Sequence, residues 1–199
     1  MDIQSFLRWV QGTGLAARIR DSLFVFPLLE SAHVIGLALV FGTIAVLDLR
    51  LLGVASTERS FQRMASDILK WTWAAFALTA LTGSLMFMTN AVVYSHNVYF
   101  RTKIALLVLA GLNTLVFELT AGRTIHRWDR APSAPPIGKA VATLSLVIWI
   151  AVIFAGRIIG FTTTRASLAE PAPVDVNFEN LLGVPADRGE PPATSPENK

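Results

Sequence analysis

Four long apolar stretches divided by short charged ones organise this chain, and each is about long enough to cross a bilayer. A hydrocarbon layer ~30 Å thick takes about 20 helical residues at ~1.5 Å each. The first stretch runs from about Leu23 to Leu47, broken only by Glu30 and His33, and closes on Asp48-Leu49-Arg50. After a polar link holding Ser56, Thr57, Glu58, Arg59 and Arg63, the second, Trp71 to Val93, carries no charge. The link from Tyr94 to Arg101 is short, which makes the second and third helices antiparallel neighbours. The third runs from Thr102 to about Thr120, with Lys103 at its start, Asn113 inside and Glu118 near its end. Pro132, Pro135 and Pro136 break the chain before the fourth, Gly138 to Phe161, which is uncharged from Ala140 to Gly156. The pattern predicts an all-α fold: an integral membrane four-helix bundle over residues 21–161.

The flanks differ from this body. Residues 1–20 mix Phe6, Trp9, Val10 and Leu15 with Arg8, Arg18 and Arg20, too polar to span, and predict an amphipathic helix lying in the interface rather than a signal peptide. Asp21 and Ser22 can cap the helix that follows. Residues 162–199 hold Pro171, Pro173, Pro185, Pro191 and Pro192 with scattered acids, and are expected to be a disordered tail.

Composition supports the membrane reading: 53% of residues are hydrophobic, 16% are charged and the mean hydropathy is +0.52. With no cysteine, disulfides, thiolate metal sites, iron–sulfur clusters and cysteine nucleophiles are excluded. The net charge of +3 conceals a split, because residues 162–199 carry three basic and six acidic side chains. The basic excess therefore sits in the membrane-flanking loops, where the partner it implies is the lipid bilayer and not nucleic acid.

Four spans put both termini on one side. The two links on the other side hold Arg50, Arg59, Arg63, Lys70, Arg123, Arg127, Arg130 and Lys139. Arg8, Arg18, Arg20, Arg101 and Arg165 lie on the terminal side, with Lys103 and Arg157 at its border, so the positive-inside rule favours both termini outside the cytoplasm by a small margin.

An ionisable group within the bilayer costs about 2.5–3.5 kcal/mol on insertion scales, so each one retained in a span is a candidate for function. Glu30 and His33, three residues apart, share a face of the first helix with Gly36. Alternating helix directions bring Asn90 and Tyr94, Lys103 and Arg157 to the same membrane half. A pairing of Glu30 with Arg157 or Lys103 would offset much of the cost of burying each. This cluster reads either as a cofactor or substrate site or as an ion pair that fixes helix packing. Asp48, Arg50, Lys70, Glu118, Arg123 and His126, at the opposite end, read as interface anchors beside Trp71 and Trp73.

Two segments carry a resemblance. Glu30-Ser31-Ala32-His33-Val34-Ile35-Gly36, followed by Asp48-Leu49-Arg50-Leu51-Leu52-Gly53, and Phe100-Arg101-Thr102-Lys103 resemble an uncharacterised bacterial family of four-helix inner-membrane proteins. More distantly the chain is similar to the copper-resistance D (CopD) membrane domain and the HemJ-type protoporphyrinogen oxidases. The resemblance implies haem b, with His33 as the metal ligand and Lys103 as a partner in the pocket. This chain departs from a bis-histidine pattern, since His96 and His126 fall in links and His33 lies about 10–15 Å inside its span.

The reading that follows is a haem-associated membrane redox protein using His33, with Glu30, Asn90, Tyr94, Lys103 and Arg157 around the cofactor. A metal-ion or small-solute transport subunit, or a non-catalytic assembly subunit working as a homodimer or in a larger complex, is the alternative. No nucleotide-binding loop or hydrolase motif is present.

Overall fold

Side-chain caps at the polar links open several of the helices. The computed structural model describes residues 2–169, with side chains described through Thr162. Asp2 accepts from the Ser5 N–H at 2.8 Å and opens α1 (Ile3–Gln11). Thr13 accepts from the Ala16 N–H at 3.3 Å and opens α2 (Gly14–Asp21). The single interfacial helix expected over 1–20 is thus two helices, because Gly12 ends the first and Thr13 caps the second.

The Ser22 hydroxyl accepts from the Val25 N–H at 3.2 Å at the start of α3 (Val25–Leu52). That helix closes at Gly53, whose φ of 79° is left-handed, with Gly53 N–H bonded to the Arg50 carbonyl and Val54 N–H to that of Leu49. Ser60 caps α4 (Phe61–Thr89). The second span therefore begins ten residues before Trp71, and it stops at Asn90 rather than Val93, since Asn90 leaves helical geometry at φ −143°. A short α5 (Ala91–His96) follows. Asn97 then accepts from the Tyr99 and Phe100 N–H groups and starts α6 (Val98–Leu119).

A 3-10 turn (Gly122–Thr124) and α7 (Ile125–Trp128) lead to α8 (Pro136–Ala169), which has proline at its first position, where the missing N–H costs nothing. Helix continues through Ala169, into the segment expected to be a disordered tail, and the remainder of that segment lies outside the described residues.

α3, α4, α6 and α8 are each long and apolar enough to cross a membrane. Only 11% of the apolar window of the third span is buried, so most of its hydrophobic surface faces outward, as lipid contact demands. One core cluster joins all four spans, from Val40 through Ala75 and Ala110 to Ile148, Trp149 and Val152. A second gathers Leu51, Phe61, Ala121, Trp128, Ala134 and Ala142 beneath the two links on the far side.

Candidate functional site

The site grows from the crossing of α3 and α4, where small residues allow close approach. A Cβ built on Gly36 would lie 2.5 Å from Thr79 Oγ1 and 3.4 Å from the Ala75 carbonyl oxygen. One turn away, a Cβ on Gly83 would lie 2.9 Å from His33 Cε1 and 3.3 Å from Nδ1. The His33 ring therefore rests directly on the backbone of α4.

His33 is half-buried, with Nδ1 3.0 Å from the Thr79 carbonyl oxygen and 3.1 Å from Thr82 Oγ1. A carbonyl oxygen only accepts, so Nδ1 carries the hydrogen, while the Thr82 hydroxyl donates to the Leu78 carbonyl at 2.8 Å. In the neutral ring Nε2 then holds a lone pair, and no hydrogen bond reaches it among the described residues.

Lys103, half-buried at the start of α6, is close enough for its charge to act on His33. Its ammonium lies over Gly156 of α8, with Nζ 3.6 Å from where a Cβ would stand. Beside this pair is an aromatic group: Phe87 stacks on Phe100 with centroids 5.2 Å apart, and Tyr94 lies 5.9 Å from Phe100. Burial, and then the Glu30 carboxylate, push the Tyr94 phenol above its ordinary range.

Placement separates the remaining candidates. Glu30 and Arg157 are both exposed, and no ion pair links Glu30 to Arg157 or Lys103 among the described residues. The helical turn explains this: Gly156 faces Lys103, so its neighbour Arg157 points about 100° away and lies 5.2 Å over the Phe161 ring. Asn90 acts through its backbone, its carbonyl accepting from Tyr94 N–H at 3.0 Å between α4 and α5. His96 is exposed, its Nδ1 2.8 Å from the Val92 carbonyl and its Nε2 3.2 Å from Gln4. The N-terminal helices pack over this end, where Arg20 donates to the Thr89 carbonyl and Gln11 accepts from Val92 N–H.

The opposite end holds what the sequence reading missed. Arg50, expected as a snorkelling anchor, is 0% exposed. Its guanidinium donates to the Arg59 carbonyl from Nε (3.0 Å) and Nη2 (2.9 Å), and to the carbonyls of Asp129 (3.2 Å), Ala131 (3.0 Å) and Pro132 (3.5 Å). Asp48, read in the same way, is 6% exposed; the Ser145 hydroxyl meets it and its Oδ2 has no hydrogen-bond partner among the described residues. Both turn inward because the links fold back over the helix end. One signal was available: an arginine beside a helix-ending glycine, with proline-rich carbonyls to satisfy.

Asp129 locks the same links. Its carboxylate accepts from the Ser60 hydroxyl at 2.6 Å and the Gln62 N–H at 2.7 Å, which holds the start of α4. The Ser60 hydrogen bond, followed by the Gln62 N–H and the nearby Arg130 and Arg50 charges, keeps its carboxyl below the ordinary value of 3.8, against a smaller opposing effect of burial. A depressed folded-state value means a contribution present above the unfolded value and lost as pH falls through the folded one. The melting temperature of wild-type protein should therefore lose this contribution only below about pH 4, whereas Asp129→Asn should lack it at neutral pH. Equal melting temperatures for the two at pH 7 would show that the carboxylate does not hold the link.

No curated protein and no solved structure matches the chain. Residues 8–162, which hold the four spans and both polar ends just described, match a family of unknown function, DUF6644, and the chain belongs to that family.

Proposed function

We propose that this chain is a haem-associated membrane redox protein in which His33 would hold the haem iron. The supporting observation is the His33 Nδ1–H donated to the Thr79 carbonyl, which orients the ring and leaves Nε2 without a hydrogen bond among the described residues. Ligating histidines characteristically give their other ring hydrogen to a carbonyl or carboxylate in this way. Bound haem b would supply one-electron chemistry. Under this reading Lys103 would offer a cation to the cofactor's acidic groups, the Phe87, Tyr94 and Phe100 rings would supply apolar contacts, and Glu30, Asn90 and Arg157 would stand around it. His96 is engaged with Gln4 and the Val92 carbonyl, so a haem here would rest on His33 alone, on His33 with a non-histidine group, or on a rearranged link. The same reading places the protein in a bacterial inner membrane with both termini outside the cytoplasm, alone, as a homodimer or within a larger complex.

The test is an absorption spectrum with metal analysis of detergent-purified full-length protein expressed with haem supplied. A Soret band is expected, reduced by at least about tenfold in His33→Ala, as loss of a ligand or its supporting shell requires. A colourless wild type, or a band untouched in His33→Ala, overturns the reading.

A second reading, a non-catalytic assembly subunit, draws on the same contacts, since His33 joins α3 to α4 through Thr79, Thr82 and Gly83. It is favoured if His33→Ala loses stability alone and the protein co-purifies with larger partners. A transport subunit needs Glu30, His33 and Arg157 gathered, and exposed Glu30 and Arg157 leave that reading without an observation of its own.

A further inference from the structure

At the end of the bundle away from His33, the links and the adjoining turns of α3 and α4 enclose a groove. Its rim carries Arg59, Arg63 and Arg130, all exposed, and its floor is Val46, Met64 and Ile68. Glu58 and Asp67 also border it, yet none of the three arginines forms an ion pair within 4 Å among the described residues. Three exposed arginines and three apolar side chains thus line one cleft.

The arginines are held in place by the fold. The buried Arg50 guanidinium grips the carbonyl of Arg59 and those of Asp129 and Ala131, the residues on either side of Arg130. Arg63 sits in the first turn of α4, where its N–H donates to Ser60, whose hydroxyl is bound by Asp129. One buried cation and one carboxylate therefore fix the backbone from which all three rim arginines project.

Depth in the membrane follows from Trp71 and Trp73, which are 73% and 65% exposed on α4 and mark the headgroup level. Arg63 lies about 12 Å further along the helix towards the link, and its side chain can reach back several ångströms. Met64 and Ile68 lie between Arg63 and Trp71 on the same helix, so the cleft is polar at its outer end and apolar towards the tryptophan level.

We infer that this groove binds one anionic phospholipid, its phosphate on Arg59, Arg63 and Arg130 and an acyl chain along Val46, Met64 and Ile68. Planar guanidinium forks match phosphate oxygens in pairs, and the apolar floor separates a lipid from a free phosphate ion. Bulk attraction of basic loops to an acidic surface needs no such groove and is not selective for any one loop.

Native mass spectrometry of the full-length protein in non-ionic detergent tests this, with phosphatidylglycerol, phosphatidylcholine and inorganic phosphate as separate probes. Phosphatidylglycerol should bind at least about tenfold tighter than phosphatidylcholine, and the Arg59→Ala, Arg63→Ala, Arg130→Ala triple variant should fall to the phosphatidylcholine level. Arg123→Ala with Arg127→Ala, on the same side and outside the groove, should bind like wild type. Should the triple variant fail to fold, Arg63→Gln alone, at an exposed position, should still weaken phosphatidylglycerol several-fold. Equal binding of the two lipids, an equal loss in the control pair, or displacement of phosphatidylglycerol by millimolar phosphate would each overturn the proposal.

Discussion

Arg50→Ala is expected to lower the thermal midpoint of the detergent-solubilised protein by on the order of 10 °C, the largest loss of any single substitution outside the spans' packed core. The guanidinium is fully buried and reaches the carbonyls of Arg59, Asp129, Ala131 and Pro132. Hydrogen bonds from a charged donor contribute about 1.5–3 kcal/mol each, and carbonyls left bare in a buried link cost about as much again as their desolvation. Not all of this is lost, because water can follow the truncated side chain. A net loss of about 3–5 kcal/mol remains, and a chain of this size shifts by about 2–4 °C per kcal/mol.

Arg50→Lys should recover only part of that loss, since one ammonium cannot span carbonyls from two separate links as a planar fork does. Near-UV circular dichroism and the emission of Trp128, which is 6% exposed beside the same links, report the unfolding locally. A midpoint within 2 °C of wild type for Arg50→Ala would mean that the links hold themselves. Because the same guanidinium positions Arg59 and Arg130, Arg50→Lys should also weaken phosphatidylglycerol binding while leaving His33 in place.

The four spans were legible because a bilayer imposes one simple requirement, about twenty apolar residues, which the chain meets four times. Their ends were less legible, because caps and not hydropathy decide them. Ser60 extends α4 backwards through Gln62 and Arg63, residues that hydropathy assigns to a loop, and Asn90 cuts the helix inside an apolar run. The cost of polar groups in lipid singled out His33 and Lys103, and Lys103 stands close enough for its charge to act on His33. The same cost argument failed for Glu30 and Arg157, which reach the surface instead of pairing. It failed in the opposite sense for Arg50, whose position at a span end made solvent its obvious partner. Its true partners are backbone carbonyls about 9 and 80 residues distant, and backbone groups leave no mark in a composition. Gly53 with its left-handed φ and Pro132 were the visible signs that the chain folds back there.

Gly83→Val is expected to separate the two readings of the His33 site, because it strikes the histidine without removing it. A Cβ at this position stands 2.9 Å from His33 Cε1 and 3.3 Å from Nδ1, and valine adds two methyl groups beyond it. The ring must leave the Thr79 carbonyl, or α3 and α4 must part. Overpacking of this kind costs about 1–3 kcal/mol, which predicts a fall in midpoint of roughly 2–12 °C. Gly36→Val meets Thr79 Oγ1 at 2.5 Å and the Ala75 carbonyl behind it, one turn along the same crossing, and should cost a similar amount while reaching His33 only through Thr79. Gly42→Ala and Gly111→Ala, where nothing lies within 4 Å, should stay within about 0.5 kcal/mol of wild type. If His33 holds haem, Gly83→Val abolishes or shifts the Soret band while Gly36→Val of equal stability keeps it. If His33 only packs, the two variants differ in nothing but their midpoints. A Gly83→Val protein with an unchanged midpoint and an unchanged spectrum would show that the α3–α4 crossing has room to spare, and the tight seat assigned to His33 would fall with it.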